Sequence, residues 1–332
     1  MKGAIVASSA QDPDPVVTCD RGVSLVSSAE RRQHAPDRTL ALIEGGSLVA
    51  RCSCWWTGTA VYEGRAVGVI GHYAAADAGS ADTLLSNACE LLASNGAALA
   101  VGPMDGTTWR RYRFIVDRGV EPAFFLEPDN PDEWVQHWRR AGFDALASYT
   151  SAINDDLGRA DPRTAPALER LRGADVTIRT LDAGRLDAEL HGIFSLSLTA
   201  FAGNFLYTPI AEEEFIEQYH AVLPFVRSEL VFLAEKDGVL VGFMFGLPDA
   251  LQARRGGAND TVILKTVAVD PAFGRMGLGG VLMDQVHHTA HGLGFRRAIH
   301  ALIHETNVSG RLSDRTARTI RRYGLFSKRL AA

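Results

Sequence analysis

The chain has 332 residues, 46% of them hydrophobic and 22% charged, with a formal net charge of −5 at pH 7. That length suggests two domains more readily than one, and the composition is that of a globular chain able to bury a sizeable core. The acidic balance gives no electrostatic reason to expect a nucleic-acid partner, and no run of 18 apolar residues predicts a transmembrane helix or a membrane partner.

Residues 1–37 are rich in Ser, Asp, Pro and Arg and read as a flexible leader. One Lys precedes a short apolar run that acids and prolines soon break, which is not a signal peptide. The four cysteines, Cys19, Cys52, Cys54 and Cys89, lie in the first 90 residues. So few cysteines in a large chain predict a reduced, cytoplasmic protein. Cys52 and Cys54 would share one strand face, poor disulfide geometry, and no second pair completes a zinc site, so buried thiols and no metal are expected. Residues 40–57 and 60–73 read as strands, with Gly58 and Gly64 near turns. Residues 81–94 read as a helix with Leu84, Ala88, Leu91 and Leu92 on one face and Asn95-Gly96 as its stop. Short strands follow at 97–101 and 124–126, a short helix at 132–140 and a strand at 147–153. The first domain is therefore 38–153. Residues 154–174, charged and rich in Pro and Gly, read as a linker containing a short helix.

The second domain, 175–332, begins with a strand at 176–180 and helices at 186–202 and 212–220. The Asp237-Gly238 pair between apolar runs predicts a hairpin of strands 230–235 and 239–247. A strand at 261–269, a helix at 278–293, a strand at 297–303, a helix at 307–322 and a strand at 325–330 complete it. This order predicts an α/β (α+β) fold, a mixed and mostly antiparallel sheet flanked by helices, and the first half repeats the theme more weakly.

The segment that carries chemistry is residues 262–290: a buried strand, Asp270-Pro271, then Gly274, Arg275, Met276, Gly277, Leu278, Gly279 and Gly280, then an amphipathic helix. Glycines at a helix start let the backbone approach an anion, and the terminal N–H groups and helix dipole can hold a pyrophosphate. A tight turn would also use such glycines. A dinucleotide fold would place them after the first strand of a βαβ unit, whereas here they follow an antiparallel meander.

This segment resembles the GNAT superfamily of N-acetyltransferases. Val267-Ala268-Val269-Asp270-Pro271 and Gly277-Leu278-Gly279 match its central motif, and Asn307 with Tyr323-Gly324-Leu325-Phe326 is similar to its ending. The segment 102–114, with Trp134, Trp138, Gly142-Phe143 and Tyr149, is similar to the accessory half of two-domain GNAT-like proteins. The resemblance implies two tandem GNAT-like domains, the first degenerate, since residues after Tyr73 hold too few glycines for a phosphate cradle. It implies acetyl-CoA as co-substrate without metal, and transfer of an acyl group, acetyl in the commonest case, onto a primary amine of a small molecule or peptide. A homodimer is allowed. The implied cofactor contacts are Val267, Ala268 and Val269, whose N–H groups would bind the pantetheine and polarise the thioester, the loop 274–280, and Asn307.

Two departures bear on catalysis. Gly274 stands where the family has Gln or Arg, with Arg275 one place later, and Lys265 stands where many relatives carry an acid. A neutral amine is needed, so a base or a desolvating pocket must take its proton. Tyr323 is the expected acid for the departing thiolate. Glu305 and His304 are the base candidates, with His300 on the face of His304, and Glu235 at a strand end that would otherwise face water. Asp284, His287, His288 and His291 read as a solvated helix face. Two alternatives stand beside the acyltransferase: a non-catalytic CoA-binding or regulatory protein, and an aminoacyl transferase using charged tRNA, which the intact loop and acidic charge disfavour.

Overall fold

The structure, a computed structural model, describes residues 3–256 and 258–331. In chain order its first half comprises β1 (Ala4–Ser8), α1 (Ser28–His34), β2 (Arg38–Glu44), β3 (Ser47–Trp55), β4 (Val61–Tyr62), β5 (Arg65–Ala75), α2 (Ala78–Ser94), β6 (Leu99–Gly102), β7 (Phe114–Asp117), α3 (Glu133–Arg140) and β8 (Asp144–Asn154). The second half comprises α4 (Thr164–Arg172), β9 (Thr177–Thr180), α5 (Leu186–Phe201), α6 (Glu212–Val222), β10 (Val231–Lys236), β11 (Val239–Pro248), α7 (Ala250–Arg254), β12 (Thr261–Val269), α8 (Leu278–Gly292), β13 (Arg297–His304), α9 (Val308–Ser313) and β14 (Arg318–Arg329).

Both halves are built alike. In each, an antiparallel meander is followed by a helix that crosses to a parallel strand: β2-β3-β5, α2, β6 in the first and β10-β11-β12, α8, β13 in the second. Two-residue turns set the hairpins. Gly45-Gly46 and Asp237-Gly238 all have positive φ, the twist that matches flanking strands. Residues 40–57, expected as one strand, are therefore the β2–β3 hairpin.

The strands join into one sheet in the order β1-β2-β3-β5-β6-β14-β8-β13-β12-β11-β10-β9. The halves exchange their last strands. β8, from the first half, pairs with β13 of the second, and β14, the last strand of the chain, pairs with β6 of the first. The two exchanged strands pair with each other from Arg318↔Ile153 to Ser327↔Asp144. The boundary read at residues 154–174 is thus a boundary in the chain and not in the sheet.

Several expectations are corrected. Residues 1–37 are not a loose leader: β1 pairs with β2, and α1 is capped by Ser27 and anchored by Arg31, which is buried and 2.6 Å from Asp14. Residues 124–126 form no strand. The linker helix α4 buries Ala167 and Leu171 in the core under α8. Residues 307–322 are mostly not helical, because α9 ends at Ser313 and β14 starts at Arg318. The alternation of β14 explains the difference. Ile320, Tyr323, Leu325 and Phe326 are buried along an extended strand, a pattern that the polar residues between them disguise.

Candidate functional site

β12 and β13 pair in parallel only from Thr261↔Arg297 to Leu264↔His300. Two bulges then drive them apart. On β12, Phe245 pairs Thr266 while Gly246 pairs Leu264, which leaves Lys265 as the extra residue. On β13 the register with β8 slips between His300 and Ile303, and Leu302 adopts a φ of 60°. A bulge bends its strand and re-aims side chains. Beyond it the β13-facing edge of β12 is unpaired, and a cavity of about 930 Å³ opens.

Three parts of the chain wall this cavity. The splayed strands give Lys265, Thr266, Val267 and residues 300–304. α5, α6 and the turn between them give Phe201, Phe205, Tyr207, Phe215 and Tyr219. The first half gives Trp109, Arg110, Tyr112, Arg113, Glu127 and Tyr149. Trp109 locks the first half under α5 and α6: its Nε1 donates to the Thr208 carbonyl at 2.8 Å and its ring meets Phe201, Tyr207 and Phe215 edge-on.

On the other side of the splay lies the start of α8. Gly277 has φ 85°, and the first i to i−4 bond of the helix runs from the Val281 N–H to the Gly277 carbonyl, 3.1 Å. The N–H groups of Leu278, Gly279 and Gly280 are therefore the helix's terminal donors. A Cβ at Gly279 or Gly280 would meet little beyond Leu312 and Val269, at 3.5 Å or more, and one at Gly274 would meet nothing. This junction between a 3-10 turn (Pro271–Met276) and α8 is open at Gly274, Gly279 and Gly280, as an anion requires, while Ala167 of α4 covers Gly277. Arg275 is exposed, the Met276 carbonyl accepts from Arg170 at 3.4 Å, and Val267 and Asn307 line the cavity. Ala268 instead faces the core under α5 and α6, and Val269 packs toward α8, so these two offer backbone rather than side chains.

The same places in the first half are blocked. β5 and β6 pair from Val67↔Leu99 to Val69↔Val101. Where they would splay, the Met104 N–H donates to the Ile70 carbonyl at 2.9 Å, and a Cβ at Gly71 would lie 2.1 Å from the Met104 oxygen. The N-terminus of α2 is taken by the Asp77 carboxylate, which accepts from the Ser80 N–H at 2.8 Å.

The expected catalytic residues fare unevenly. Tyr323 lies mid-strand in β14 rather than at a helix end. It is 1% exposed and outside the cavity wall. Its hydroxyl donates to Glu127 and meets Ser151 Oγ at 3.0 Å, and that Oγ accepts the Leu302 N–H at 3.0 Å. This chain ties the β13 bulge to the central strands, and burial beside Glu127 raises the phenol's pKa far above its usual value. Glu305 is exposed and outside the cavity. Glu235 is ion-paired with Arg179. His300 is engaged at both nitrogens, with His287 at 2.9 Å and Ser313 at 2.8 Å. His287 is thus buried against the sheet rather than on a solvated face.

His304 does line the cavity. Its Nδ1 accepts the Thr306 N–H at 3.2 Å, so the neutral ring carries its proton on Nε2, which is buried without a partner. Burial, then Arg113, hold its pKa below the usual histidine range. Lys265 projects into the same space, touching only the Leu126 carbonyl at 3.4 Å, and burial with Arg113 nearby lowers its pKa to about 8. Arg113 and Glu127, which the sequence reading did not single out, complete the polar lining. Arg113 lies in the segment 102–114, noted for resemblance alone, and Glu127 lies outside it.

Among the described residues Glu30, His34 and His72 approach one another as metal ligands would. The two rings are only 20° from coplanar, with Nδ1 and Nε2 2.8 Å apart and centroids 5.0 Å apart. That is an edge-to-edge N–H···N hydrogen bond, which occupies the lone pair a metal would need. The four cysteines are free, and Cys52, Cys54 and Cys89 are buried.

Residues 193–311 match the family model described as acetyltransferase (GNAT) family. That segment, about a third of the chain, is similar to the GNAT family. Over its whole length the chain has the fold of tandem members. It aligns with a tandem GNAT protein from the clavulanic acid biosynthesis pathway at TM-score 0.50 and 13% identity, over 100% of this chain and 99% of that one. It aligns with a GCN5-related N-acetyltransferase from Sphaerobacter thermophilus at TM-score 0.51 and 14% identity, over 99% and 96%. In sequence it is 24% identical over 192 residues to the "bacterial ceramide synthase" of Caulobacter vibrioides, covering 58% of this chain and 50% of that protein. It is also 24% identical over 169 residues to Escherichia coli protein YghO, covering 49% and 42%. The chain spans about half the length of these curated relatives or less. No helix among the described residues is long and apolar enough to cross a membrane.

Proposed function

We propose that this protein is an acyl-CoA-dependent N-acyltransferase that transfers an acyl group, acetyl or longer, to a primary amine held in the aromatic cavity. The observation that carries the reading is the cavity itself: about 930 Å³ at the open end of the splayed strands, next to a glycine-rich helix start open at Gly274, Gly279 and Gly280. An acetyl group alone would leave most of it empty, so the amine, the acyl chain or both are bulky. The curated relative named a ceramide synthase carries a lipid product in its name, in keeping with an aromatic wall of this size.

In this reading the Gly274–Gly280 loop and the N–H groups of Leu278, Gly279 and Gly280 hold the phosphates of CoA. The unpaired edge of β12 from Lys265 to Val269 hydrogen-bonds the pantetheine arm. The thioester supplies an acyl group already activated for attack. No dedicated base is needed. Glu305 is outside the cavity, Glu127 is committed to Arg321 and Tyr323, and the His304 Nδ1 is taken. A desolvated pocket holding two cations lowers the pKa of an incoming ammonium, and so favours the neutral amine. The His304 Nε2–H is placed to hydrogen-bond the departing thiolate, and the proton the thiolate takes up comes from the attacking nitrogen.

The test is release of free CoA thiol from a series of acyl-CoA donors, two to sixteen carbons, against a panel of amines. Amine-dependent release is expected. Tight CoA binding with no turnover across the panel would favour the non-catalytic alternative.

A further inference from the structure

The polar lining of the cavity is one-sided. Arg113 is 7% exposed and its guanidinium lies over the rings of Tyr112 and Tyr149, 3.8 and 4.1 Å from their centroids. One terminal nitrogen donates to the Leu302 carbonyl at 3.0 Å, and Nε is buried with no partner. Among the described residues the Lys265 Nζ reaches only the Leu126 carbonyl, and the His304 Nε2 has no partner. All three line the same cavity, and Arg113 acts electrostatically on both of the others.

Neither carboxylate beside them in the cavity wall is free, Asp129 being paired with Arg118 at 2.8 Å. Glu127 is 0% exposed in its side chain and accepts from Arg321 Nε at 2.7 Å, from the Tyr323 hydroxyl and from the Phe124 N–H at 3.2 Å. Glu127 and Arg321 cancel. Elsewhere in the wall Arg110 is paired with Glu214 at 2.6 Å, and burial keeps His34 neutral with a pKa lowered to about 4. The positive charges of Arg113 and Lys265 therefore stand uncompensated among aromatic side chains. Three donors without a free acceptor are complementary to a group that only accepts, and an ionised carboxylate is such a group.

We propose that the amine acylated here carries its own carboxylate, seated between Arg113 and Lys265, so that the acceptor is an amino acid with an apolar side chain and the product an N-acyl amino acid. The inference rests on the acyltransferase reading. The amine nitrogen bonds the thioester carbonyl carbon, the C–S bond breaks, the nitrogen loses one proton and the thiolate gains one. The lowered pKa of Lys265 agrees with a cation that lacks its counter-ion. A bound carboxylate raises that pKa again, so binding near pH 8 takes up a proton.

The experiment has two arms. In the first, full-length protein is assayed with amino acids and their amino alcohols, L-phenylalanine against L-phenylalaninol and L-leucine against L-leucinol, and with O-phosphoethanolamine. Exchanging a carboxylate for a hydroxymethyl should cost about 100-fold or more in kcat/KM, since a site built around a polar group strongly rejects its absence. Lys265→Met and Arg113→Lys should erase that preference mainly through KM. Equal use of the amino alcohols, or preference for the phosphorylated amine, overturns the proposal while leaving the acyltransferase reading intact. In the second arm, calorimetry in buffers of different ionisation enthalpy follows N-dodecanoylglycine and N-dodecanoylethanolamine without CoA. The glycine conjugate should bind tighter, with proton uptake at pH 8 that Lys265→Met abolishes. That result without turnover of any amine would overturn the acyltransferase reading and keep the carboxylate site. Equal binding of the two conjugates would overturn the site itself. Should Arg113→Lys fail to fold, Lys265→Met alone decides.

Discussion

Lys265→Met tests the electrostatics of the cavity without any ligand. Methionine keeps the length and most of the volume of the side chain and removes its charge. The lysine pKa falls from 10.5 to about 8, first because of burial and then because of Arg113, with Glu127 opposing. One unit is about 1.4 kcal/mol, so carrying the charge in the folded state costs roughly 3–4 kcal/mol at pH 7. The folded protein releases this proton near pH 8, whereas the unfolded chain holds it to 10.5. Between these values the unfolded state binds more protons, so this group's penalty is full below pH 8 and disappears as pH rises to 10.5. Lys265→Met should therefore be more stable than the parent in urea unfolding at pH 7, by roughly 3–4 kcal/mol, and the gain should shrink steadily between pH 8 and 10.5. A variant less stable than the parent at pH 7, or a gain independent of pH, would show that Lys265 is already neutralised in the folded protein.

Two further substitutions separate binding from packing. Gly279→Glu puts a carboxylate at the start of α8, where its Cβ meets only Leu312 and Val269 at 3.5 and 3.7 Å. It should keep the melting temperature, since an acid suits a helix N-terminus, and weaken CoA at least tenfold by calorimetry; undiminished affinity would move the phosphate site elsewhere. Gly277 is less suited to this test, because its φ of 85° and the Ala167 Cβ at 3.0 Å strain any side chain. Tyr323→Phe breaks the link between Ser151 and Glu127 and should cost about 1–3 kcal/mol of stability with kcat unchanged; a hundredfold loss of kcat at unaltered stability would restore its role as an acid.

What the sequence showed was local. The glycine-rich start of α8 was legible because a helix start is set by consecutive residues. The hairpin at Asp237-Gly238 was legible because a tight turn is set by its own two residues. The acceptor side was not. Arg113 and Lys265 are 152 positions apart, and they meet because the Trp109 segment crosses beneath α5 and α6. Tyr323 was placed on a helix because Arg318, Arg321 and Arg322 break the apolar alternation of β14. Only the structure shows that Arg321 is buried, 1% exposed, with its charge matched by Glu127. Buried ion pairs of this kind read as surface in any periodicity argument.

The strand exchange makes a last prediction about how far the halves are separate. A fragment of residues 155–332 holds the GNAT loop and every cofactor contact expected from the sequence, yet lacks β8. Its β13 would lose the ladder from Ala298↔Asn154 to His304↔Tyr149, and β14 would lose all three of its partners, β6, β7 and β8. Tyr323, Leu325 and Phe326, each at most 1% exposed, would then line an open sheet edge, which is a template for aggregation. Arg321 would keep its charge and lose Glu127. The bulge at Leu302 would lose both restraints that aim it, the Ser151 hydroxyl on its N–H and the Arg113 guanidinium on its carbonyl. The fragment should be insoluble or bind CoA poorly, and co-expression with residues 1–154 should restore a complex that binds CoA as the intact chain does. A fragment that unfolds cooperatively and binds CoA with full affinity would show that the exchanged strands are decoration on a self-sufficient domain. The expected result would explain why a half with its own cleft filled and its own helix start capped by Asp77 is retained: it supplies β8, the Trp109 anchor under α5 and α6, and the Arg113 of the cavity wall.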